Sequence, residues 1–408
     1  MGRLMDASEG IKAWIIKAGL AGVGEGELVT GYCERLVQAG VPIWRASVGA
    51  DTLHPLIDAQ GHRWFAGIGV HEEHFHREES RERRDSWLNS TWRWMIENEQ
   101  PEMRRKLYLG EGADQFPLLA DLAAQGGTDY WSIIIDYGAG AALGETQGVA
   151  LSWTTRDPVG FQQAGMDLIR ETMPVFALAY KAAMTVNVAR VVARTYMGED
   201  VANRVLRGDI ERGKVKTVRK VLWFSDLTGF TRLADTLPRD QLLDLLNAYA
   251  DCLVGVVHGH GGEVLKFLGD GILAVIGKGG CEACQRALDA ASAARAAVAA
   301  LNEARSAAGL PTTGFTLALH EGEVHYGNIG SRDRLDFTVV GPAVNEASRI
   351  QAMSRSLDQP ILISATFAAA CGPERRRVVS VGRYALRGVE RPQELFTLDD
   401  GAVQDAAS

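Results

Sequence analysis

Apolar positions change period several times along the first 185 residues. They predict a helix at about 10–38, strands near 41–48 and 62–70, a charged helix at about 78–105, strands near 131–136 and 147–154, and a helix from about 159. Turn signals such as GADTLHP (49–55) and DYGAGAALGE (136–145) lie between them. From about 160 to 216 the pattern is helical: Val188, Val191, Val192 and Tyr196 recur at three- and four-residue spacing, Gly198 interrupts, and Val201, Val205 and Leu206 resume before Gly208. This reads as a helical connector whose apolar seam could pair with its copy in a second subunit. Beyond it, Val221 to Phe224 form a short continuous apolar run, the mark of a buried central strand. A long helix follows, with Pro238 in its first turn, apolar residues from Leu242 to Leu253, and the glycines of HGHGG at its end. EVLKFLG and GILAVIG then read as two strands, and RLDFTVVGPAVNEASRI (334–350) as a strand, a turn at Gly341 and a helix opened by Pro342.

A chain of 408 residues is too long for one ordinary core, so two domains are expected. The organisation read from the pattern is a regulatory domain at 1–185, a helical linker at 186–216, a catalytic domain at 217–400 and a tail at 401–408. A net charge of −8 without a basic stripe argues against nucleic-acid binding. Five scattered cysteines do not form a secreted disulfide framework, and Cys281 and Cys284 read as residues of an amphipathic helix rather than a redox or zinc motif. With no run of about 18 apolar residues and no signal-peptide layout, the expectation is a cytoplasmic protein without membrane insertion.

Eight of the nine tryptophans fall in the first 185 residues, where they either line a ligand pocket or, on the plainer reading, fill the core. His71, His74 and His76 could ligate a metal, but a solvated, charge-rich turn before a helix accounts for them better. The run REESRERRDSW (77–87) reads as a solvated helix face because its charges alternate in sign. Strands flanked by helices at both ends give this segment a resemblance to α/β sensor modules of the GAF or PAS type, which implies an unknown small-molecule or protein ligand.

The chemistry lies in the second half. Asp226 and Asp270 each stand at the end of an apolar strand, where an α/β fold presents hard cations and phosphates to its backbone. Leu227, Thr228, Gly229 and Phe230 begin a turn into a helix and make a candidate triphosphate cradle. Lys266 lies on the face of Val264 and Leu268; turned inward it needs a partner such as a purine acceptor, and on an edge strand it would reach water. Asn345 and Arg349, four residues apart, share a helix face from which a carboxamide and a guanidinium can orient a ribose and neutralise an equatorial oxygen.

FSDLTGFT, FLGDG, FTVVGPAVNEASR and YALRGVERPQELFTL (384–398) together resemble a class III nucleotidyl cyclase domain over roughly 215–400. The resemblance implies a ferredoxin-like βαββαβ core, α+β in class, with its sheet covered on one side by helices. It implies two Mg²⁺ (or Mn²⁺) ions per site, held by Asp226, Asp270 and the Leu227 carbonyl. Asn345 matches the ribose-orienting residue, Arg349 the transition-state arginine, and Arg387 the contact to the terminal phosphates. Lys266 and Thr338 match the purine-selecting pair in an adenine pattern, with Asp336 on the same strand face. The implied activity is conversion of ATP to 3′,5′-cyclic AMP and pyrophosphate in a homodimer whose sites lie at the subunit interface. The alternatives are a guanylate cyclase and a catalytically silent nucleotide-binding signalling module.

Overall fold

The computed structural model describes residues 2–54, 57–76, 87–138, 148–387 and 392–399. It divides into two compact units, Met1–Val192 and Ala193–Ser408.

The first unit opens with helices α1 (Gly2–Leu20) and α2 (Glu25–Gln38). Strands β1 (Arg45–Asp51), β2 (Ile57–Phe65) and β3 (Gly69–His76) follow, then α3 (Thr91–Glu97), β4 (Glu102–Arg105), α4 (Pro117–Ala124), β5 (Asp129–Asp136), β6 (Gly148–Thr155) and α5 (Gln163–Met197). The strands form one antiparallel sheet in the order β3-β2-β1-β6-β5-β4. Alternation along the strands sends Ala46, Val48, Trp64, Trp131, Leu151 and Trp153 into a core shared with Ile15, Leu28, Leu36, Phe176 and Tyr180 of the helices. Three of the tryptophans are therefore core residues, whereas Trp87 is exposed.

Several expected elements differ. The helix expected at 10–38 is two helices, because Gly22 takes a left-handed φ of +70° that ends the first and Gly24 precedes the second. The strand expected at 62–70 is a hairpin turning at Gly67. Residues 77–86 of the expected charged helix and of the run REESRERRDSW lie outside the described residues, as do 139–145 of DYGAGAALGE. Beyond them α3 is only seven residues long, capped by Ser90, whose Oγ accepts from Arg93 N at 3.1 Å. Pro101 then follows, and Glu102–Arg105 pairs with β5 as a strand. His71 and His74 stand on β3 rather than in a turn, and no group of three potential metal ligands forms among the described residues.

In the second unit a short α6 (Glu199–Leu206) precedes β7 (Val215–Leu227), α7 (Phe230–Thr236), α8 (Arg239–Gly259), β8 (Gly262–Leu268), β9 (Gly271–Ile276) and α9 (Cys281–Ala307). Then come β10 (Phe315–Gly330), β11 (Leu335–Val340), α10 (Pro342–Leu357), β12 (Ile361–Ser364), α11 (Ala365–Ala370), β13 (Val378–Tyr384) and β14 (Gln393–Leu398). The sheet runs β13-β14-β12-β10-β7-β9-β8, with β11 paired to β10. Its first four strands in chain order lie as fourth, first, third, second, which is the ferredoxin-like order with β7 inside. The strand β7 occupies the last residues expected to be linker.

Successive residues of β7 face opposite layers. Val221 and Trp223 pack against Leu245, Tyr249 and Leu253 of α8 and Ala287 and Leu288 of α9. Leu222 packs against Ala343 and Ala347 of α10, so helices lie on both faces rather than on one. Cys281 and Cys284 begin α9 as free thiols, in line with the helix reading. Among the described residues, α5 and α8 are long and apolar enough to cross a membrane by length and composition. Each nevertheless packs one face into its own unit: Ile169, Phe176 and Tyr180 in α5, and Leu245, Tyr249 and Leu253 in α8.

Trp223 is fully buried at the centre of this sheet, and its Nε1 donates to Ser225 Oγ at 2.9 Å. Replacing it by alanine opens a cavity that costs about 3–5 kcal/mol. Hydrogen exchange under increasing urea should show the amides of the second unit losing protection earlier in Trp223→Ala, while those of the first unit keep their wild-type midpoint.

Candidate active site

Asp226 is the penultimate residue of β7, and Asp270 lies in the turn joining β8 to β9. The pairing of β7 with β9, from Val221 opposite Ile276 to Ser225 opposite Ile272, delivers both carboxylates to the same end of neighbouring strands. The Leu227 amide donates to Asp270 Oδ2 at 3.2 Å and also lies against the Asp226 carboxylate, so one backbone group ties the pair together. Gly271 allows the close approach: a Cβ there would stand 3.2 Å from Ser225 O and 3.4 Å from Asp226 Oδ1.

The electrostatics follow from this geometry. Burial, then the hydrogen bond and negative charge of Asp270, push the Asp226 carboxyl up from 3.8 to about 7, against a smaller opposing pull from Arg355. A half-buried pair of carboxylates with a shared amide holds either a proton or a cation. The donor set fits a hard divalent ion such as Mg²⁺ or Mn²⁺, whose oxygen ligands come partly from carboxylates and otherwise from water or substrate. No third acidic, histidine or cysteine ligand joins them among the described residues.

The turn after β7 is partly committed. Thr228 N donates to Gly314 O at 2.9 Å and its carbonyl accepts from Thr313 Oγ1 at 2.6 Å, so this amide is spent within the fold. Gly229 takes a left-handed φ of +68° at the start of α7, and Phe230 packs against the core. Of the candidate cradle, Gly229 supplies backbone and Phe230 supplies packing. A cavity of about 250 Å³ opens beside Asp270, lined by Leu246, Tyr249, Leu253 and Phe267.

Lys266 is on the edge strand β8, and a bulge between Val264 and Lys266 breaks the alternation that would have turned it inward. It is exposed and ion-paired with Asp336 of β11. Thr338, half-buried, stands two residues further along that strand. The structure therefore brings Lys266 to the strand that carries Thr338, but its direct partner is Asp336. The period-two spacing between Asp336 and Thr338 was the signal for this pairing.

Asn345 is exposed in the first turn of α10, and Arg349 is half-buried one turn later. The part of α10 that meets Asp226 is its other end. Gln351 Nε2 donates to Thr316 Oγ1 at 2.7 Å, Thr316 Oγ1 reaches Asp226 O at 3.4 Å, and Arg355 exerts the favourable charge on the Asp226 carboxylate. Ten residues separate Asn345 from Arg355, about 15 Å along a helix axis. Within one chain, Asp226 and Asp270 come together, and Asn345 does not join them. Arg387 is exposed beyond β13; residues 388–391 of its motif lie outside the described residues.

Because the folded-state pKa of Asp226 is raised, folding binds a proton at this carboxyl more tightly than the unfolded chain does. Its contribution to stability therefore declines as the pH rises from about 4 to about 7. In chelator-containing buffer, Asp226→Asn should melt at a higher temperature than the wild type at pH 8, and the gap should close by pH 4. A gap equal at both pH values would show that Asp226 titrates normally.

Residues 214–400 match the family profile of the adenylate and guanylate cyclase catalytic domain. An adenylate cyclase of Anabaena cylindrica is 32% identical over 160 residues, covering 38% of this chain and 31% of its own length. Adenylate cyclase 1 of Rhizobium meliloti is 29% identical over 150 residues, 36% of this chain and 23% of its own length. The chain thus spans about a third or less of these relatives. Among solved structures, the adenylyl cyclase CyaB from P. aeruginosa is 26% identical, with a TM-score of 0.42 over 46% of this chain and 96% of its own. The guanylyl cyclase Cya2 is 28% identical, with a TM-score of 0.41 over 46% of this chain and 95% of its own. The paired aspartates, the ferredoxin-like strand order and the profile match coincide on one segment, and residues 214–400 are a class III adenylate/guanylate cyclase catalytic domain.

Proposed function

We propose that the protein is an adenylate cyclase, forming 3′,5′-cyclic AMP and pyrophosphate from ATP in a homodimer with two equivalent sites at the subunit interface, under the control of residues 1–185. The observation that carries this reading is the division of the site on a single chain. Asp226 and Asp270 converge, while α10 holds Gln351 on Thr316, brings the charge of Arg355 to Asp226, and leaves Asn345 about 15 Å up its axis. A twofold partner supplies the missing half from the same surface.

Asp226, Asp270 and the Leu227 carbonyl would hold two Mg²⁺ or Mn²⁺ ions. When bound, such ions supply Lewis-acid activation of the ribose 3′-hydroxyl and neutralise charge on the triphosphate. The chain's own groups position the substrate. Asn345 of one protomer orients the ribose, so that its 3′-oxygen faces the α-phosphorus in line with the leaving pyrophosphate. Arg349, from the same helix face, neutralises charge that grows on the equatorial phosphoryl oxygens. Gly229 admits the triphosphate close to the backbone, flanked by Thr228 and Phe230, and Arg387 meets its terminal oxygens. Lys266 and Thr338 read the purine edge, with Asp336 fixing the ammonium. A threonine hydroxyl both donates and accepts, so guanine is discriminated less sharply here than by a carboxylate, which is what favours GTP as a second substrate.

Assays with ATP or GTP and Mg²⁺ or Mn²⁺ test the reading directly. Asp226→Ala or Asp270→Ala should each lower kcat on the order of a thousandfold. Mixing Asp226→Ala with Arg349→Ala protein should restore about a quarter of wild-type activity, the statistical share of sites built from one intact half of each kind. A mixture no more active than its components would place the whole site on one chain. Asp336→Ala, which releases Lys266, should reduce the preference in kcat/KM for ATP over GTP on the order of tenfold.

A further inference from the structure

The sheet of the first unit packs one face on α1, α2 and α5, and its other face carries a polar patch beside a second apolar cluster that includes Met103, Tyr130 and Trp92. Arg45 and Ser47 of β1 alternate with the core residues Ala46 and Val48 and so point away from the helices α1, α2 and α5. The register extends this polar face across three strands: Ser47 lies opposite Arg63 of β2, and Arg45 lies opposite Thr154 of β6. One strand further, on β5, come Tyr130 and Ser132.

The outer members of this face are satisfied by α3. Tyr130 Oη and Thr91 Oγ1 are 2.8 Å apart, Trp92 Nε1 donates to Ser132 Oγ at 3.0 Å, and that hydroxyl donates to Leu151 O at 2.8 Å. The central members are not. Arg45 Nη1, Ser47 Oγ, Arg63 Nε and Thr154 Oγ1 are all shielded from solvent and have no hydrogen-bond partner. Arg45 is only 5% exposed, Ser47 8% and Thr154 0%. Four orphaned polar atoms on adjacent strands of one face are unusual, because buried polar groups are nearly always paired.

Charge narrows the missing partner. Arg63 is offset at its other end by Glu73, with Nη2 2.9 Å from Oε2. Arg45 has no ion pair among the described residues. Burial, and then the like charge of Arg63, push its guanidinium down to about 10, while Tyr130 and Glu73 pull weakly the other way. A guanidinium can only donate, so the absent partner accepts and carries about one negative charge. Apolar groups share this face: Phe65 lies opposite Arg45, and the Trp92 ring lies against Gly49, where an added Cβ would meet it at 2.6 Å.

We propose that Arg45, Ser47, Arg63 and Thr154 form the anion-holding end of a binding site in the first unit, which takes a small organic monocarboxylate. This inference stands on the first unit alone and does not depend on the cyclase reading.

The test uses the full chain. Thermal midpoints of the first unit are followed by its tryptophan fluorescence while acetate, pyruvate, benzoate, inorganic phosphate or chloride is added at matched ionic strength. At least one carboxylate should raise the midpoint saturably, and chloride should not. Arg45→Met should raise the midpoint without any ligand, because it removes an unpaired buried cation, and should abolish the saturable shift. Thr154→Val, a change of one buried hydroxyl, should keep the fold and weaken the carboxylate's Kd about tenfold. A ligand-free Arg45→Met protein less stable than the wild type would show that the guanidinium is already satisfied and would overturn the proposal. So would a carboxylate shift that survives in Arg45→Met, a response to phosphate alone, or no response to any carboxylate.

Discussion

Two half-buried carboxylates that share one backbone amide govern the second unit. Burial, and then Asp270, have raised the Asp226 carboxyl to about 7. The fold accepts this because the strands around the pair are over-determined. The central strand β7 is hydrogen-bonded to β9 and β10, and packed by α8 and α9 on one face and α10 on the other. Such a frame can hold like charges together without relaxing, which leaves a proton or a cation as the means of relief.

A similar condition holds in each of the two units. In each, the interior is closed by apolar packing, and a small set of polar groups keeps charge or hydrogen-bonding capacity that the fold does not fully use. In the second unit these are carboxylates, asking for cations. In the first they are guanidiniums and hydroxyls, asking for an anion. Where the fold does satisfy a group, the reading of that group changes: the Thr228 amide is bonded to Gly314, and Lys266 is paired with Asp336.

Much of the second unit was legible in the sequence. The run Val221–Phe224, the glycines around Asp270, and the Pro342 start of α10 are local signals backed by burial, and each became the element it suggested. The first unit was less legible because its decisive features are short. Gly22 and Gly24 break a helix that periodicity alone continues, and α3 is seven residues between a serine cap and a proline. The bulge at Val264–Lys266 reversed an inference drawn from strict alternation, since one extra residue moves a side chain to the other face.

By itself the sequence named the candidate residues, because carboxylates at strand ends, glycines in turns and the spacing of Asn345 and Arg349 are local properties of the chain. Tertiary structure alone decided which of them meet. The β7–β9 register joined Asp226 to Asp270 across 44 residues, α10 brought the charge of Arg355 rather than Asn345 to Asp226, and β11 brought Asp336 to Lys266. Strand register also gathered Arg45, Ser47, Arg63 and Thr154 on one face from positions up to 109 residues apart. The physical reason is common to all of these: pairing and burial act on distances in space, and spacing along a chain sets those distances only within a single helix, strand or turn.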